Sequence, residues 1–175
     1  SQKENGFLVT IVGFNSVAIN SELKEEDYPN LKFENRLSYV AQVLISRKFS
    51  DKLSLEIAPS VFHENTLRDI LDENNAVILP NPQDNTQFAV GLGGRYKLTS
   101  RWSVNVDYAA HLNRASQSNY KNPLSIGVDL ETGGHVFQMH FTNAQAMHET
   151  GYLGQTVGDW SKGEIAFGFN LVRVF

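Results

Sequence analysis

The chain has 175 residues with 19 acidic and 15 basic side chains, giving a formal net charge of −4 and an isoelectric point near 5.7. Without a long run of Lys or Arg, this balance argues against nucleic acid as a partner, and the absence of cysteine excludes disulfides, thiolate metal sites and cysteine nucleophiles. No apolar run approaches the roughly 18 residues of a transmembrane helix, but the shorter alternating strands of a membrane barrel stay open.

Apolar and polar residues alternate with a period of two, the period of a β-strand, through most of the chain. The pattern predicts eight strands, at about residues 7–16, 36–49, 53–63, 87–98, 101–113, 123–132, 135–143 and 162–175. Residues 64–79 allow only a short amphipathic helical turn, formed by Leu67, Ile70, Leu71 and Ile78 and ended by Pro80 and Pro82.

The connections between these strands alternate in length. Residues 50–52, 99–101 and 133–134 are tight turns, whereas 17–35, 64–84, 114–122 and 144–161 are long and polar. Short connections on one side and long ones on the other are typical of an antiparallel up-and-down transmembrane β-barrel. The fold expected for residues 1–175 is therefore a single all-β barrel domain, with its C-terminus on the short-turn, periplasmic side.

An internal repeat sets the geometry of the first two turns. Residues 47–55 resemble residues 95–104, and Leu98 and Trp102 must share a face, so the loop holds an odd number of residues, most simply three. The register then sets Arg95 opposite Asn105, with Asp107 on the diagonal. By the same rule, Lys48 lies opposite Ser54 and diagonal to Glu56. Both hairpins are thus expected to place a cation near an acid.

The third turn contains two glycines. Gly133 and Gly134 suit a two-residue type I′ turn, whose positive φ angles glycine tolerates. This turn would pair Leu130 with Phe137 and Asp129 with Gln138.

The polar row of the strands carries a dense set of charges of both signs, which favours a narrow polar lumen over a water-facing sandwich surface. The residues predicted to line the lumen are Lys48, Glu56, Arg95, Asn105, Asp107, His111, Asp129, Gln138, His140 and Glu164.

Aromatic residues near the strand ends indicate two girdles that flank an aliphatic band facing lipid. The residues predicted to face lipid are Phe49, Phe88, Tyr96, Trp102, Tyr108, Phe137, Phe141, Phe167, Phe169 and Phe175.

The chain ends in a strand whose apolar row leads to a final Phe175. This ending resembles the terminal signal that the barrel-assembly machinery reads, which makes that machinery an expected partner. Arg173 departs from the pattern, but at a membrane edge its head group can snorkel to water.

Residues 123–143, followed by Gly158-Asp159-Trp160 and the Phe-terminated strand, resemble the C-terminal half of an uncharacterised family of Bacteroidota outer-membrane β-barrel proteins. The resemblance covers roughly residues 85–175 and implies location and fold, but no activity. Members of that family are longer, with further strands before the region that corresponds to residue 1. Two alternatives stay open: a complete eight-stranded barrel, or the larger part of a barrel of about twelve strands.

Two sets of side chains invite a chemical interpretation, and both are weak. His135, Met139, His140, Met147 and His148 could ligate copper or haem iron, but along one strand they fall on both faces. Ser103, Asp107 and His111 share a face, but a spacing of four residues on a strand is about 13 Å, too long for a catalytic triad. We expect no enzyme, metal or cofactor.

The function expected from the sequence is that of an outer-membrane barrel with a polar, charge-paired lumen. Its role would be structural, as a scaffold or a component of a larger outer-membrane complex, or that of a narrow channel, with membrane lipid and other outer-membrane proteins as partners. Residues 143–160 are expected to fold over the barrel mouth. The alternative is a soluble or periplasmic barrel whose apolar row lines a ligand cavity, with Leu92, Tyr96, Trp102, Val104 and Tyr108 inside.

Overall fold

The computed structural model describes residues 7–26, 28, 30–67, 70–71, 77–79 and 82–173. Its strands are β1 (Thr10–Ile19), β2 (Leu37–Lys48), β3 (Leu53–Glu64), β4 (Ile70–Leu71), β5 (Val77–Leu79), β6 (Thr86–Lys97), β7 (Trp102–His111), β8 (Leu124–Glu131), β9 (His135–Thr142) and β10 (Ala166–Arg173). All except β4 and β5 form one eight-stranded antiparallel sheet with the strands in chain order. The predicted all-β, up-and-down architecture is therefore confirmed.

The predicted helical turn in residues 64–79 is wrong. The described part of this segment contains β4 and β5, which pair with each other rather than with the large sheet. A short apolar run fits a strand as well as a helical turn, and here the strand pairing prevails.

The sheet curls, and its two faces differ in polarity. Large apolar side chains on the convex face are exposed, among them Ile57, Leu92, Val106 and Phe167. The concave face buries polar groups such as Ser103 and Asp129. An apolar outer surface around a polar interior is the arrangement of a membrane barrel and the reverse of a water-soluble one.

The first two turns follow the predicted register. Arg95 pairs with Asn105 and Lys48 with Ser54, which leaves three residues in each turn. The internal repeat has a structural basis, because the side-chain hydroxyl of the first residue accepts the same kind of hydrogen bonds in both turns. The hydroxyl of Ser50 accepts bonds from the backbone N–H groups of residues 52 and 53, and that of Thr99 accepts from residues 101 and 102.

The third turn has the predicted pairing and a different turn type. Asp129 pairs with Gln138 and Leu130 with Phe137. Of the two glycines, only Gly133 has a positive φ, at 72°. A type I′ turn needs a positive φ at both central residues, whereas type II′ needs it only at the first, so the observed φ angles correspond to type II′.

The tightest packing lies on the concave face at the end where the connections are long. Here a short helix, α1 (Glu149–Gly154), contacts β2, β3 and β7. Its Leu153 joins a buried cluster with Val40, Phe62, Ala89 and Ala109. Within the described residues, no helix has the length and apolar character needed to cross a membrane.

Candidate functional site

The concave face carries a polar cavity of about 480 Å³. Strand pairing explains why its walls are polar, because inward residues of successive strands stand opposite one another from β6 to β10. The lining residues include Arg95, Asn105, Asp107, Ser125, Asp129, Gln138, His140, Tyr152 and Asn170. Six predicted lumen residues thus meet in one place: Arg95, Asn105, Asp107, Asp129, Gln138 and His140.

Arg95 is the centre of a charged network on the cavity wall. Its Nη2 lies 2.6 Å from Glu131 Oε1 and 3.7 Å from Asp129 Oδ2. Its Nε donates to the hydroxyl of Ser103 at 3.0 Å. Asp129 is also held by Gln138, whose side-chain amide donates at 3.3 Å.

The predicted register of Arg95 and Asp107 is right, and both residues line the same cavity, but the ion pairs of Arg95 are with other acids. The guanidinium instead reaches past β7 to carboxylates on β8, two strands or about 10 Å away. Together with the Ser103 hydroxyl on β7, Glu131 satisfies two of the five N–H groups of the guanidinium, and Asp129 adds a second negative charge nearby.

The predicted proximity of Lys48 and Glu56 gives a second correction. The ammonium of Lys48 lies 2.8 Å from Asp51, within its own turn. Glu56 instead faces Asp107 across Gly93, where a β-carbon would lie 3.5 Å from the Cβ of Glu56 and 3.8 Å from Oδ2 of Asp107. The small inward residue therefore leaves two carboxylates on either side of an open gap.

Residues 144–165, here called the plug segment, leave β9 and fold onto the concave face before β10 begins. The Tyr152 hydroxyl of α1 donates to Asp107, and the Gln155 amide donates to Glu64 Oε1 at 2.6 Å. The Ser16 hydroxyl of β1 donates to Glu149 at 3.1 Å. The expectation that this loop folds over the mouth is confirmed.

Further hydrogen bonds hold the middle and the C-terminal half of the plug segment. The Asn143 amide donates to the carbonyl of Gly158 at 2.9 Å. The indole N–H of Trp160 donates to the carbonyl of Leu124 at 3.0 Å. The Arg114 guanidinium donates to the carbonyl at the end of α1, on Gly154, at 3.2 Å. The segment is thus tied to the barrel wall on several sides.

Two groups in the plug segment have shifted pKa values. Burial raises the pKa of the Tyr152 phenol, and the charge of Asp107 adds to the shift. Tyr152 therefore stays a hydrogen-bond donor to the Asp107 carboxylate at physiological pH. Hydrogen bonds from the Ser161 hydroxyl and backbone N–H lower the pKa of Asp159, which lies 3.6 Å from the Lys121 ammonium.

His111 lies at the long-connection end and lines none of these walls. Its ring is 5.5 Å from the ring of Phe62, centroid to centroid, and both ring nitrogens are buried without a hydrogen-bond partner. Ser103, Asp107 and His111 do not converge either, since Ser103 contacts Arg95 and Asp107 contacts Tyr152.

Glu164 lies apart from the other predicted lumen residues. It is exposed and accepts a bond from the backbone N–H of Asp159 at 3.1 Å. The predicted last strand begins later than expected, at Ala166, because Gly163 closes a 3-10 turn with a φ of 73°.

The predicted lipid-facing residues lie on the convex face. Those that are exposed there are Phe49, Phe88, Tyr96, Trp102, Phe141, Phe167 and Phe169. Tyr108 and Phe137 are half-buried, and the Tyr108 hydroxyl accepts a bond from Asn122. Phe175 lies outside the described residues.

This arrangement contradicts the soluble alternative. A ligand cavity lined by Leu92, Tyr96 and Trp102 would require their row to be concave, and all three are exposed on the convex face. The His and Met residues also lie apart, with Met147 fully exposed on the plug segment. Among the described residues, no group of three or more His, Asp or Glu side chains is arranged to hold a metal ion.

Sequence analysis missed α1 and its anchor Leu153. The available signal was an apolar pair, Tyr152 and Leu153, enclosed by glycines in an otherwise polar loop. Gly154 is needed there, because a β-carbon at that position would lie 2.9 Å from the Phe62 ring.

Comparison with known proteins agrees with this architecture. The profile of the family described as "Membrane bound beta barrel domain (DUF5777)" matches residues 1–175, a wider range than the residues that carried the resemblance in the sequence. No curated protein and no solved structure is significantly similar to the chain. On the family match, the chain belongs to the membrane-bound β-barrel domain family DUF5777.

Proposed function

We propose that this protein is an outer-membrane β-barrel of the Bacteroidota type whose polar lumen is a narrow passage for small polar solutes. Antiparallel barrels with short turns on one side and long connections on the other are typical of bacterial outer membranes. In this orientation the short turns and the end of β10 face the periplasm, and the plug segment faces outward.

One observation carries the proposal: the polar cavity adjoins a second cavity beneath the plug segment. Asp107 and Tyr152 line both this cavity of about 480 Å³ and a neighbouring one of about 340 Å³. The second cavity contains Glu56 and the inner side of α1. The contact between Tyr152 and Asp107 is therefore the constriction between two polar compartments.

The polar side chains on the wall of the passage suit small polar solutes. Arg95 lies beside two carboxylates, and the side-chain amides of Asn105 and Gln138 line the same wall. Such a surface replaces the hydrogen bonds that a hydrated solute loses when it enters a narrow space.

The test is conductance of the protein in planar lipid bilayers. Tyr152→Ala removes the side chain at the constriction, so we expect larger current steps than those of the wild type. Tyr96→Ala is the matched control, because Tyr96 is exposed on the convex face; its steps should equal those of the wild type. Silent bilayers for all three proteins would overturn the passage.

A scaffold role is the second candidate, and one observation favours it. Met147 is fully exposed and Val157 is 63 % exposed, and both belong to the plug segment. Apolar side chains on an otherwise anchored loop suit contact with another outer-membrane protein. A photo-crosslinking residue at position 147 would yield a defined adduct in cells if this role is right, and none if it is wrong.

We also propose that the barrel-assembly machinery recognises β10. Phe167, Phe169 and Leu171 form an exposed apolar row on this strand, which has a partner on one side only in the described sheet. Replacing Phe167 and Phe169 with Ala should slow insertion by the purified machinery, with Phe88→Ala as the control on an inner strand. Equal insertion rates would refute this role.

A further inference from the structure

Cationic side chains are concentrated at the end of the sheet that carries the short turns. They are here called the basic rim and comprise Arg47, Lys48, Lys52, Lys97, Arg101 and Arg173. The described acids at this end are Asp51, in the first turn, and Glu131, at the end of β8. The rim therefore has a strong excess of positive charge.

The two carboxylates at this end are already engaged. Asp51 lies 2.8 Å from the Lys48 ammonium, and that contact lowers the pKa of its carboxyl. Glu131 lies 2.6 Å from Arg95, which points into the lumen and does not belong to the rim. The ion pairs among the described residues leave out Arg47, Lys52 and Arg101, so no described acid forms an ion pair with any of these three cations.

The rim lies at the level where lipid headgroups are expected. Arg47 is exposed on the convex face, and its guanidinium stands 5.0 Å from the centroid of the Phe49 ring. Arg101 directly precedes Trp102, which is exposed on the same face. Aromatic side chains at strand ends occupy the membrane interface, so neighbouring cations lie beside the lipid phosphates.

The opposite end of the sheet differs. Two of its cations are paired with acids, Lys121 with Asp159 at 3.6 Å and Lys32 with Glu34 at 3.9 Å. Further acidic residues, including Glu25 and Glu26, lie in the same connections. The unbalanced positive charge is thus confined to one membrane surface.

We infer that the basic rim binds the headgroups of anionic phospholipids. Cations at a membrane surface attract anionic lipid, and an arginine held against an aromatic ring is already oriented for a phosphate. This inference rests on the membrane location alone and is independent of whether the lumen conducts.

The experiment uses Trp102 as a local reporter. The chain has two tryptophans, and Trp160→Phe leaves Trp102 as the only one. The full-length protein is reconstituted in vesicles that contain equal fractions of brominated phosphatidylglycerol or brominated phosphatidylcholine, and quenching of Trp102 fluorescence is compared. We expect an apparent excess of phosphatidylglycerol of about fivefold at low salt, decreasing as salt is added.

Substitutions distinguish lipid binding by the basic rim from a general effect of the protein's net charge. Replacing Arg47, Lys52 and Arg101 with Gln should bring the two lipids to equal quenching. Replacing Lys24, Lys121 and Lys162 with Gln removes the same charge from the other end and should leave the excess in place. The exchange Arg47→Lys, Lys52→Arg and Arg101→Lys preserves the charge of the rim and should keep most of the phosphatidylglycerol excess.

Three results would overturn the inference: equal quenching in the parent protein, an excess that survives the three rim substitutions, or the same loss in the control at the other end. Should the triple rim variant fail to fold, Arg101→Gln alone decides. That substitution leaves the turn bonds to the Thr99 hydroxyl intact, since residue 101 contributes only its backbone N–H to them. Arg101→Gln must lower the phosphatidylglycerol excess reported by Trp102. An unchanged ratio of quenching by the two lipids would refute lipid binding there.

Discussion

The ring of Phe62 lies against the backbone of Gly154, so close that a β-carbon at residue 154 would stand 2.9 Å from its Cε2. Phe62 belongs to β3 and is almost fully buried, and Gly154 ends α1. The absence of one side chain thus allows the plug segment to seat on the barrel wall.

Gly154→Ala should therefore unseat α1. The Phe62 ring is almost fully buried, so we expect a loss of about 1–3 kcal/mol in the free energy of seating. Limited proteolysis of the plug segment in detergent measures the change. Gly134→Ala is the control, because a β-carbon at Gly134 meets nothing within 4 Å and the residue has no positive φ. Equal protease resistance of both variants would contradict this account.

Tyr152→Phe isolates the hydrogen bond to Asp107 from the packing of the ring. Loss of a bond to a charged acceptor should destabilise seating by about 1.5–3 kcal/mol. We expect faster cleavage of the plug segment while the barrel keeps its migration on an unheated gel. If cleavage stays at the wild-type rate, the hydrogen bond between Tyr152 and Asp107 contributes nothing to the seating of the plug segment.

His111→Leu should be neutral or stabilising by up to about 1 kcal/mol. The imidazole is buried beside Phe62 with both nitrogens unpaired, so an apolar replacement removes a desolvation cost. Gln87→Leu is the contrasting variant, because its amide donates to the buried Glu64 at 3.3 Å; here we expect a loss of about 1–3 kcal/mol. The urea midpoint of unfolding in detergent should fall for Gln87→Leu. For His111→Leu it should rise or stay unchanged.

Val106→Lys tests which face meets lipid. Val106 is exposed on the convex face, and a lysine near the membrane midplane costs about 2–4 kcal/mol. Asn170→Lys, on the cavity side of β10, should fold normally. The fraction of heat-modifiable barrel on an unheated gel gives the comparison. Normal folding of both variants would show that the face of the sheet that carries Val106 does not meet lipid.

The anchor at Asp159 predicts a loss of seating in acid. Its pKa is lowered below 3.8 by the Ser161 hydrogen bonds, so the ionised form is favoured in the seated state. The contribution is present at pH values above 3.8 and is lost as the pH falls through the lowered pKa. Ser161→Ala removes the hydroxyl, and the acid midpoint of plug proteolysis should then rise. An unchanged midpoint would exclude Asp159 as the group that responds.

Strand positions and register could be predicted from the sequence because they follow from local parity. Leu98 and Trp102 had to share a face, and that requirement fixed the pairing of Arg95 with Asn105. The position of the Arg95 guanidinium could not be predicted in this way, because a long side chain can reach acids on the neighbouring strand and on the strand beyond it, and strand parity does not select among them.

The helix α1 lay beyond local patterns for a different reason. It has six residues, two of them glycines, and such a segment has little intrinsic helicity. Tertiary contacts of Leu153 and Tyr152 stabilise it. The type of the Gly133–Gly134 turn was also unpredictable, since both glycines tolerate either conformation.

The bonds of the plug segment span large distances along the chain: Gln155 bonds Glu64 across 91 residues, and Glu149 bonds Ser16 across 133. Such contacts cannot form until the early strands stand in their final register. Seating is therefore a late event in assembly, and it is sensitive to errors made at the start of the sheet. A barrel with a misregistered β1 or β3 would leave this segment loose and open to proteolysis, so the segment that packs on the concave face also reports whether the wall was built correctly.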